Sequence, residues 1–444
     1  MEIDTGNTAW VLVSSALVLL MTPGLALFYG GLNRSKSVLN MMMMSFSSIG
    51  LISVLWLLYG FSVAFGDDVA LGETPGFFGK VTQFHGGLDL SGETFLDLPL
   101  YVFMAFQMMF AVITVALISG AVSDRMKFAG WLLFAAGWFT LAYLPIAHMV
   151  WGGGYIGSLG VKDFAGGTAV HINAGAAALA LAIVVGRRVG FPRESFKPHN
   201  VPLVALGAAL LWFGWFGFNA GSELAVDDVT ALAFLNTQVT TAAAVLGWII
   251  VEWVKNGKPT LVGASSGAIA GLVAITPACA FIKPWAAVLL GLVAGAVSAL
   301  AVSLKYRLGY DDSLDVVGIH FVAGWIGTLW IGIFGLPGIS EAGDSLIEGG
   351  GLALFGVQFA GAAIATVWSF AVALGVALAI KYTVGLRVDR EVEIEGIDLA
   401  EHKESAYDHT PGGSGAGGSS GGAFAQAGIS STAPAEGTPQ RASV

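Results

Sequence analysis

Charge is what this sequence has least of. Only 11% of its 444 residues are Asp, Glu, Lys or Arg, against about 25% in a soluble globular chain. A soluble domain of this size could not cover its surface with so few. Disorder over most of the chain is excluded as well, because it needs low hydrophobicity and high charge, whereas 55% of the residues are apolar. Cysteine is nearly absent. Cys279 stands alone in an apolar stretch, so an intrachain disulfide or a Cys-based metal cluster is impossible and a packing role is expected. The first ten residues, MEIDTGNTAW, lack a basic n-region. The first apolar stretch therefore reads as a retained span rather than a cleaved signal peptide.

What the chain has in quantity is apolar length and glycine. Mean hydropathy is +0.76, and the reading left is an all-α polytopic membrane protein. Of 62 glycines, nine fall in the last 34 residues; the rest amount to about 13% of the preceding chain, nearly twice the usual level. In lipid, glycine lets helix backbones approach closely, so a tightly packed bundle is expected. Eleven stretches are long enough, or nearly so, to cross about 30 Å of hydrocarbon: 9–32, 40–65, 98–121, 128–150, 168–186, 201–220, 230–254, 261–281, 285–304, 316–336 and 352–384. The seventh and eighth are the most polar and should face other helices.

The loops test that count. Loops after odd-numbered spans carry Arg34, Lys36, Arg125, Lys127, Arg187, Arg188, Arg193, Lys197, Lys255, Lys258, Lys305 and Arg307, whereas loops after even-numbered spans carry Lys80, Lys162 and Lys283. By the positive-inside rule the N-terminus is outside and the C-terminus cytoplasmic. The other face is acidic, with Asp67, Asp68, Glu73, Asp89, Glu223, Asp227 and Asp344 among its residues; a negative mouth concentrates cations, although solvated loops free of the positive-inside constraint would look the same. The expected organisation is a transmembrane domain over 1–384, a cytoplasmic segment over 385–410 and a disordered Gly/Ser-rich tail over 411–444. The transmembrane domain divides into a first half (about 9–186), a second half (about 201–336) and a long eleventh helix (352–384).

Five spans per half is an odd number, so the halves would be inverted relative to each other, a common transporter plan. The fifth span contains His171-Ile172-Asn173-Ala174-Gly175 and the tenth His320-Phe321-Val322-Ala323-Gly324. Both read H-x-x-A-G, and both follow an aspartate by eight residues, Asp163 and Asp312. Ionisable groups inside a membrane normally face a cavity and mark a pathway. Repeat symmetry predicts that the two rings meet. Two imidazoles in an apolar lumen are expected to be neutral and, bonded to each other, to leave a donor and an acceptor for a small polar guest. That suits a neutral amine or a transient proton better than an alkali cation. No further ligands offer themselves, so neither metal nor cofactor is expected. His148, at the end of the fourth span, is expected at the interface, and His85, His199, His402 and His409 in solvent.

Several long stretches in one order, FYGGLNRSKSVLN (28–40), FQMMFAVITVALISGAVSDRMKF (106–128), HMVWGGGYIGSLGVKDFAGGTAVHINAG (148–175), WFGWFGFNAGS (212–222) and DDSLDVVGIHFVAGWIGTL (311–329), resemble the ammonium transporter family (Amt/Mep/Rh), Amt branch, over essentially 9–410. The resemblance implies an outer ammonium-recruitment site at Trp151 and Ser222 with Phe110 alongside, a phenyl gate of Phe110 and Phe218 with Phe106 one turn away, and pore-lining roles for His171 and His320. It also implies structural and electrostatic roles for the carboxylates Asp163 and Asp312. A Trp face attracts a cation and a hydroxyl accepts a hydrogen bond, which fits an ion with four N–H donors. Further implications are conduction of ammonia after deprotonation, with the proton either returning outside or crossing separately by way of the histidines, methylammonium as an analogue, a homotrimer in a prokaryotic plasma membrane, and a PII-type signal protein at the segment after Gly385. Phe321 stands where a small residue is common and would narrow the lower lumen. Lys403 follows His402 where glycine is usual.

Other classes compete. A membrane ammonium sensor would show the same motifs and be marked by an attached kinase or cyclase domain, which these 444 residues do not contain. An Rh-like neutral gas channel would not need a cation-recruiting mouth at Trp151 and Ser222. An intramembrane hydrolase would need a nucleophile or acid pair near His171 or His320, and no span supplies one; no enzyme activity and no nucleic-acid partner are expected.

Overall fold

The computed structural model describes residues 3–87 and 90–407. The expected tail at 411–444, the last residues of the 385–410 segment, His409 and Asp89 lie outside the described residues. Among the described residues, ten helices are long and apolar enough to cross a membrane: α1 (Thr5–Leu32), α2 (Val38–Phe65), α3 (Leu100–Val122), α4 (Phe128–Ser158), α5 (Gly167–Val185), α6 (Val201–Glu223), α7 (Asp228–Asn256), α9 (Pro284–Leu308), α10 (Val317–Phe334) and α11 (Ala353–Thr383). The eighth stretch, expected at 261–281, is helical only over α8 (Leu261–Ile275). At about 1.5 Å per residue that is about 22 Å, short of the hydrocarbon thickness. Pro277 has no N–H to continue the ladder, and its ring fills the space beside Gly167 where a side chain would otherwise stand. The chain beyond α8 thus packs against the head of α5.

Glycine sets the central packing. α1 and α6 run antiparallel along most of their length: Gly31 lies against Val204, Gly24 against Leu210 and Leu211, and Gly217 against Leu17 and Ser14. A Cβ on Gly31 would lie 2.7 Å from the Val204 backbone nitrogen, so only glycine permits this crossing. α5 and α10 cross in the same way. Gly175 faces the backbone of Phe321, and Gly324 faces Ile172 and the Cβ of His171. The glycine of each H-x-x-A-G motif therefore marks where the two helices touch. Antiparallel contact of α1 with α6 and of α5 with α10 is the arrangement an inverted repeat would produce.

At the basic face the halves are joined by buried charge. Arg125 is fully buried and donates to the carbonyls of Gly186, Ser123, Ala121 and Asp311 and to Ser313 Oγ. Arg188 pairs with Asp311 at 2.8 Å. The 385–406 segment folds back across this face through two short helices, α12 (Arg390–Glu395) and α13 (Ile397–His402). Asp398 accepts from the amides of Leu39 and Asn40 at the start of α2, and Glu401 from that of Phe128 at the start of α4. Its acidic side chains thereby satisfy helix N-termini that would otherwise present bare N–H groups.

Candidate functional site

Each histidine stands on a tightly specified turn. Asp163 Oδ1 accepts from the amides of Gly166 and Gly167 at 2.9 and 2.6 Å, and its Oδ2 from those of Thr168 and Ala169 at 2.8 and 2.9 Å. One carboxylate satisfies four N–H groups at the head of α5. At the opposite end of the bundle Asp312 accepts from Val316 and Val317 at 3.1 and 2.7 Å. Both caps lead into a π-helical turn, Gly167–Ile172 and Val317–Phe321, and each turn carries its histidine. Such single π turns recur at functional sites.

The two rings meet. His171 and His320 are 1% and 2% exposed, and their Nδ1 atoms are 3.2 Å apart. One Nδ1 must therefore donate and the other accept, which leaves an N–H on one Nε2 and a lone pair on the other. Among the described residues His171 Nε2 has no hydrogen-bond partner. The ring of His171 lies nearly parallel to that of Trp215, with centroids 5.4 Å apart, and the Trp215 indole is locked by a 2.8 Å hydrogen bond to Thr276. The pair lines a cavity with Phe28, Ile113, Trp215 and Phe218 whose volume, about 10 Å³, is near the minimum that one water requires.

Above it lies a larger cavity of about 170 Å³ at the acidic face, lined by Gln107, Phe110, Trp151, Phe164, Ser222 and neighbouring residues. Phe110 stacks on Phe218 at 4.2 Å, and this pair divides the upper cavity, which Phe110 lines, from the lower one, which Phe218 lines. Phe106 meets Phe110 edge-on at 4.9 Å and Trp151 meets it at 6.2 Å, perpendicular. The Trp151 N–H is taken by the carbonyl of Asp163 at 2.9 Å, so its face rather than its donor is available. Ser222 donates to the carbonyl of Phe218 at 2.7 Å, which leaves the hydroxyl's lone pairs free to accept.

Some expectations for single residues need correcting. His148 does not present its ring to solvent. It is fully buried, with Nδ1 3.0 Å from the carbonyl of Ala64 and Nε2 2.9 Å from Asp68 Oδ1. His199 and His402 are bonded to Asn33 and Asn40. Phe321 does not line the cavity at His320. Its ring turns towards Trp325 and the α11 side, because neighbouring helical residues point in different directions. Sequence reasoning missed Trp215 and Gln107. The signals were present: Trp215, Phe218 and Ser222 share one face of α6, and Gln107 is a lone amide within an apolar span, three residues before Phe110.

Two inverted halves crossing at paired buried histidines, beneath an aromatic cavity open to one face, define a multi-pass membrane protein of the transporter type. The chain belongs to the Ammonium Transporter Family, whose model matches residues 9–407. It is 52% identical to an ammonium transporter of Mycobacterium tuberculosis, with 91% of each chain covered. It is 44% identical to the ammonium transporter Amt1 of Archaeoglobus fulgidus, covering 90% of this chain and 99% of that one. Among solved structures it is similar to a Sensor Amt Protein (TM-score 0.83, 31% identity, 89% and 98% covered) and to Saccharomyces cerevisiae Mep2 (TM-score 0.81, 34% identity, 88% and 91% covered). The mycobacterial and archaeal relatives are ammonium transporters by name, and they support ammonium transport as the activity.

Proposed function

We propose that the protein takes up ammonium across a prokaryotic plasma membrane, with the acidic face outside and the basic face cytoplasmic. Ammonium enters the upper cavity, where the faces of Trp151 and Phe110 and the lone pairs of Ser222 replace part of its hydration. Phe110 and Phe218 close the floor. As they part, the ion gives one proton to the histidine pair, and neutral ammonia moves through the apolar space beside it. A proton accepted on the free Nε2 lone pair can leave from the other ring once the shared Nδ1 proton shifts across. Ammonia and proton recombine below, so one charge crosses per molecule. The observation that carries this reading is the 3.2 Å contact between two buried imidazoles directly beneath the stacked phenyl pair. Asp163 and Asp312 hold the turns that aim those rings.

The test is solid-supported membrane electrophysiology on proteoliposomes. Ammonium should evoke current and potassium none, and His171→Ala/His320→Ala should abolish it. Full ammonium-selective transport in that double variant would falsify the histidine role. The likeness to the Sensor Amt Protein favours one second reading, an ammonium-binding sensor, which predicts binding without flux. Methylammonium uptake that ammonium competes for and potassium does not would decide between them. A neutral gas channel would give ammonia flux without current.

The assembly follows the same reading: a homotrimer with one pore per subunit, which mass measurement in detergent would check. The docked 385–402 strap would form part of the landing surface for a PII-type protein. Such a regulator should co-purify and be released by ATP and 2-oxoglutarate, and a chain truncated before residue 385 should escape its inhibition.

A further inference from the structure

The upper cavity is far larger than an ammonium ion, and most of its wall is aromatic. Its volume is about 170 Å³, roughly ten times the minimum that one water requires, and ammonium is close to water in size. Phe65, Phe95, Phe103, Phe110, Trp151 and Phe164 line it, and among the described residues Gln107 and Ser222 are its only polar members. The rings stand as adjoining walls. Trp151 is perpendicular to Phe110, Phe65 meets Phe103 at 77°, and Phe95 stacks on Phe103 at 4.0 Å. The wall is within reach of the acidic face: Phe95 is 38% exposed, and Phe65, Trp151 and Phe164 are half-buried rather than sealed.

Such a wall suits a particular kind of cation. Aromatic faces attract positive charge through the ring quadrupole, most strongly where water is excluded, and cages of several rings are recurrent sites for quaternary ammonium groups. A quaternary methylammonium has no N–H, so it needs none of the hydrogen-bond acceptors that this cavity is short of. Its methyl groups spread the charge over a larger radius, which lowers the cost of leaving water, and they fill space that ammonium leaves empty. The acidic loops of this face raise the local concentration of any cation. The floor sets the opposite limit. Phe110 and Phe218 are stacked at 4.2 Å, and the space beneath them, about 10 Å³, is near the minimum for one water.

Resting on the recruitment role argued for this cavity, we propose that it is also an aromatic cage for quaternary methylammonium cations, which enter from the acidic face, stop at the Phe110–Phe218 floor and compete with ammonium without being conducted. Trp151 supplies the strongest face, since indole binds cations better than phenyl does. Phe95 takes no part in the ammonium contacts argued above, and its ring serves the larger guest.

The experiment uses tetramethylammonium as the probe and tert-butanol, of similar shape but uncharged, as its control. Ammonium currents are recorded in proteoliposomes at increasing probe for wild type, Trp151→Leu, Phe95→Leu and Ser222→Ala, after monodisperse gel filtration shows that each variant is folded. In wild type the apparent ammonium KM should rise in proportion to tetramethylammonium while the maximal current holds, and tetramethylammonium alone should evoke no current. Trp151→Leu should raise the inhibition constant roughly tenfold, the range expected when a desolvated cation–ring contact is lost. Phe95→Leu should raise it several-fold with the ammonium KM close to the wild-type value. Absence of competition, equal competition by tert-butanol, a tetramethylammonium current, or an inhibition constant unchanged in both ring variants overturns the proposal; if Ser222→Ala still raises the ammonium KM, the recruitment reading survives. An ammonium KM unchanged in both Ser222→Ala and Trp151→Leu overturns that reading instead. If Trp151→Leu does not fold, Phe95→Leu decides alone: an unchanged inhibition constant rejects the cage.

Discussion

At the residue scale, the two carboxylates before the histidines are equivalent by position but not by bonding. Asp163 accepts from four amides and Asp312 from two. An amide in place of Asp163 would leave two backbone donors facing an NH₂ group. Each buried unmade bond costs about 1–3 kcal/mol, so Asp163→Asn should lose about 3 kcal/mol and Asp312→Asn about half of that. Thermal unfolding of the two variants in one detergent would check the order. A second residue-scale expectation concerns Asp68. Burial raises its pKa, but the hydrogen bond to His148, the Gly76 amide and attraction to the His148 ring outweigh that and hold the carboxyl below its ordinary value. A depressed carboxylate stabilises the fold above its unfolded-state pKa of about 4 and loses that contribution as pH falls through the lower folded value. Hydrogen exchange at the Gly76 and Tyr155 amides, corrected for intrinsic rate, should accordingly be flat from neutral pH to about 4 and quicken below. Asp68→Asn should remove the acid-dependent step.

At the element scale, the spans are held by close approach rather than by large side chains. A Cβ on Gly175 would lie 2.5 Å from the Cβ of Phe321, at the crossing that brings the histidines together, whereas nothing lies within 4 Å of one on Gly50. Overpacking of a tight site costs about 1–3 kcal/mol. Gly175→Ala should destabilise by that amount and reduce ammonium current, whereas Gly50→Ala in α2 should be neutral or slightly stabilising. The strap gives a further case. Lys403 ends α13 at φ 56°, in the left-handed region, which costs a non-glycine residue about 1–2 kcal/mol. Lys403→Gly should remove that strain and increase amide protection across 390–402 several-fold by mass-spectrometric exchange.

At the scale of the whole molecule, polar contacts join the two halves at several places, and at the basic face Arg125 alone reaches five acceptors. It satisfies carbonyls at the ends of α3 and α5 and in the loop before α10, all without exposure to water. Arg125→Leu would strand several of these acceptors together with Ser313. A loss on the order of 3 kcal/mol is expected, with the strap loosened as well, because Val388 bonds to the Arg125 carbonyl. Lower melting together with faster exchange in 385–402 would confirm the coupling; an unchanged strap would refute it.

Much of this was legible in the chain. Low charge and long apolar runs leave no alternative to a bilayer, because backbone polar groups in lipid must be satisfied within helices. The H-x-x-A-G pair and the preceding aspartates are local patterns that survive in one dimension. What the chain could not give was the partner of each group. Whether His148 meets water or Asp68, whether Phe321 faces the lumen or α11, and that Gln107 lines one cavity with Trp151 depend on residues distant in sequence and on the rotation of each helix about its axis. The eighth stretch ends its helix before Pro277, whose ring packs against α5 at Gly167, a contact the sequence does not show. Sequence by itself determined the solvent, the number of apolar stretches and the repeated motif; tertiary structure decided the contacts, because directed bonds and close packing exist only once the helices have crossed.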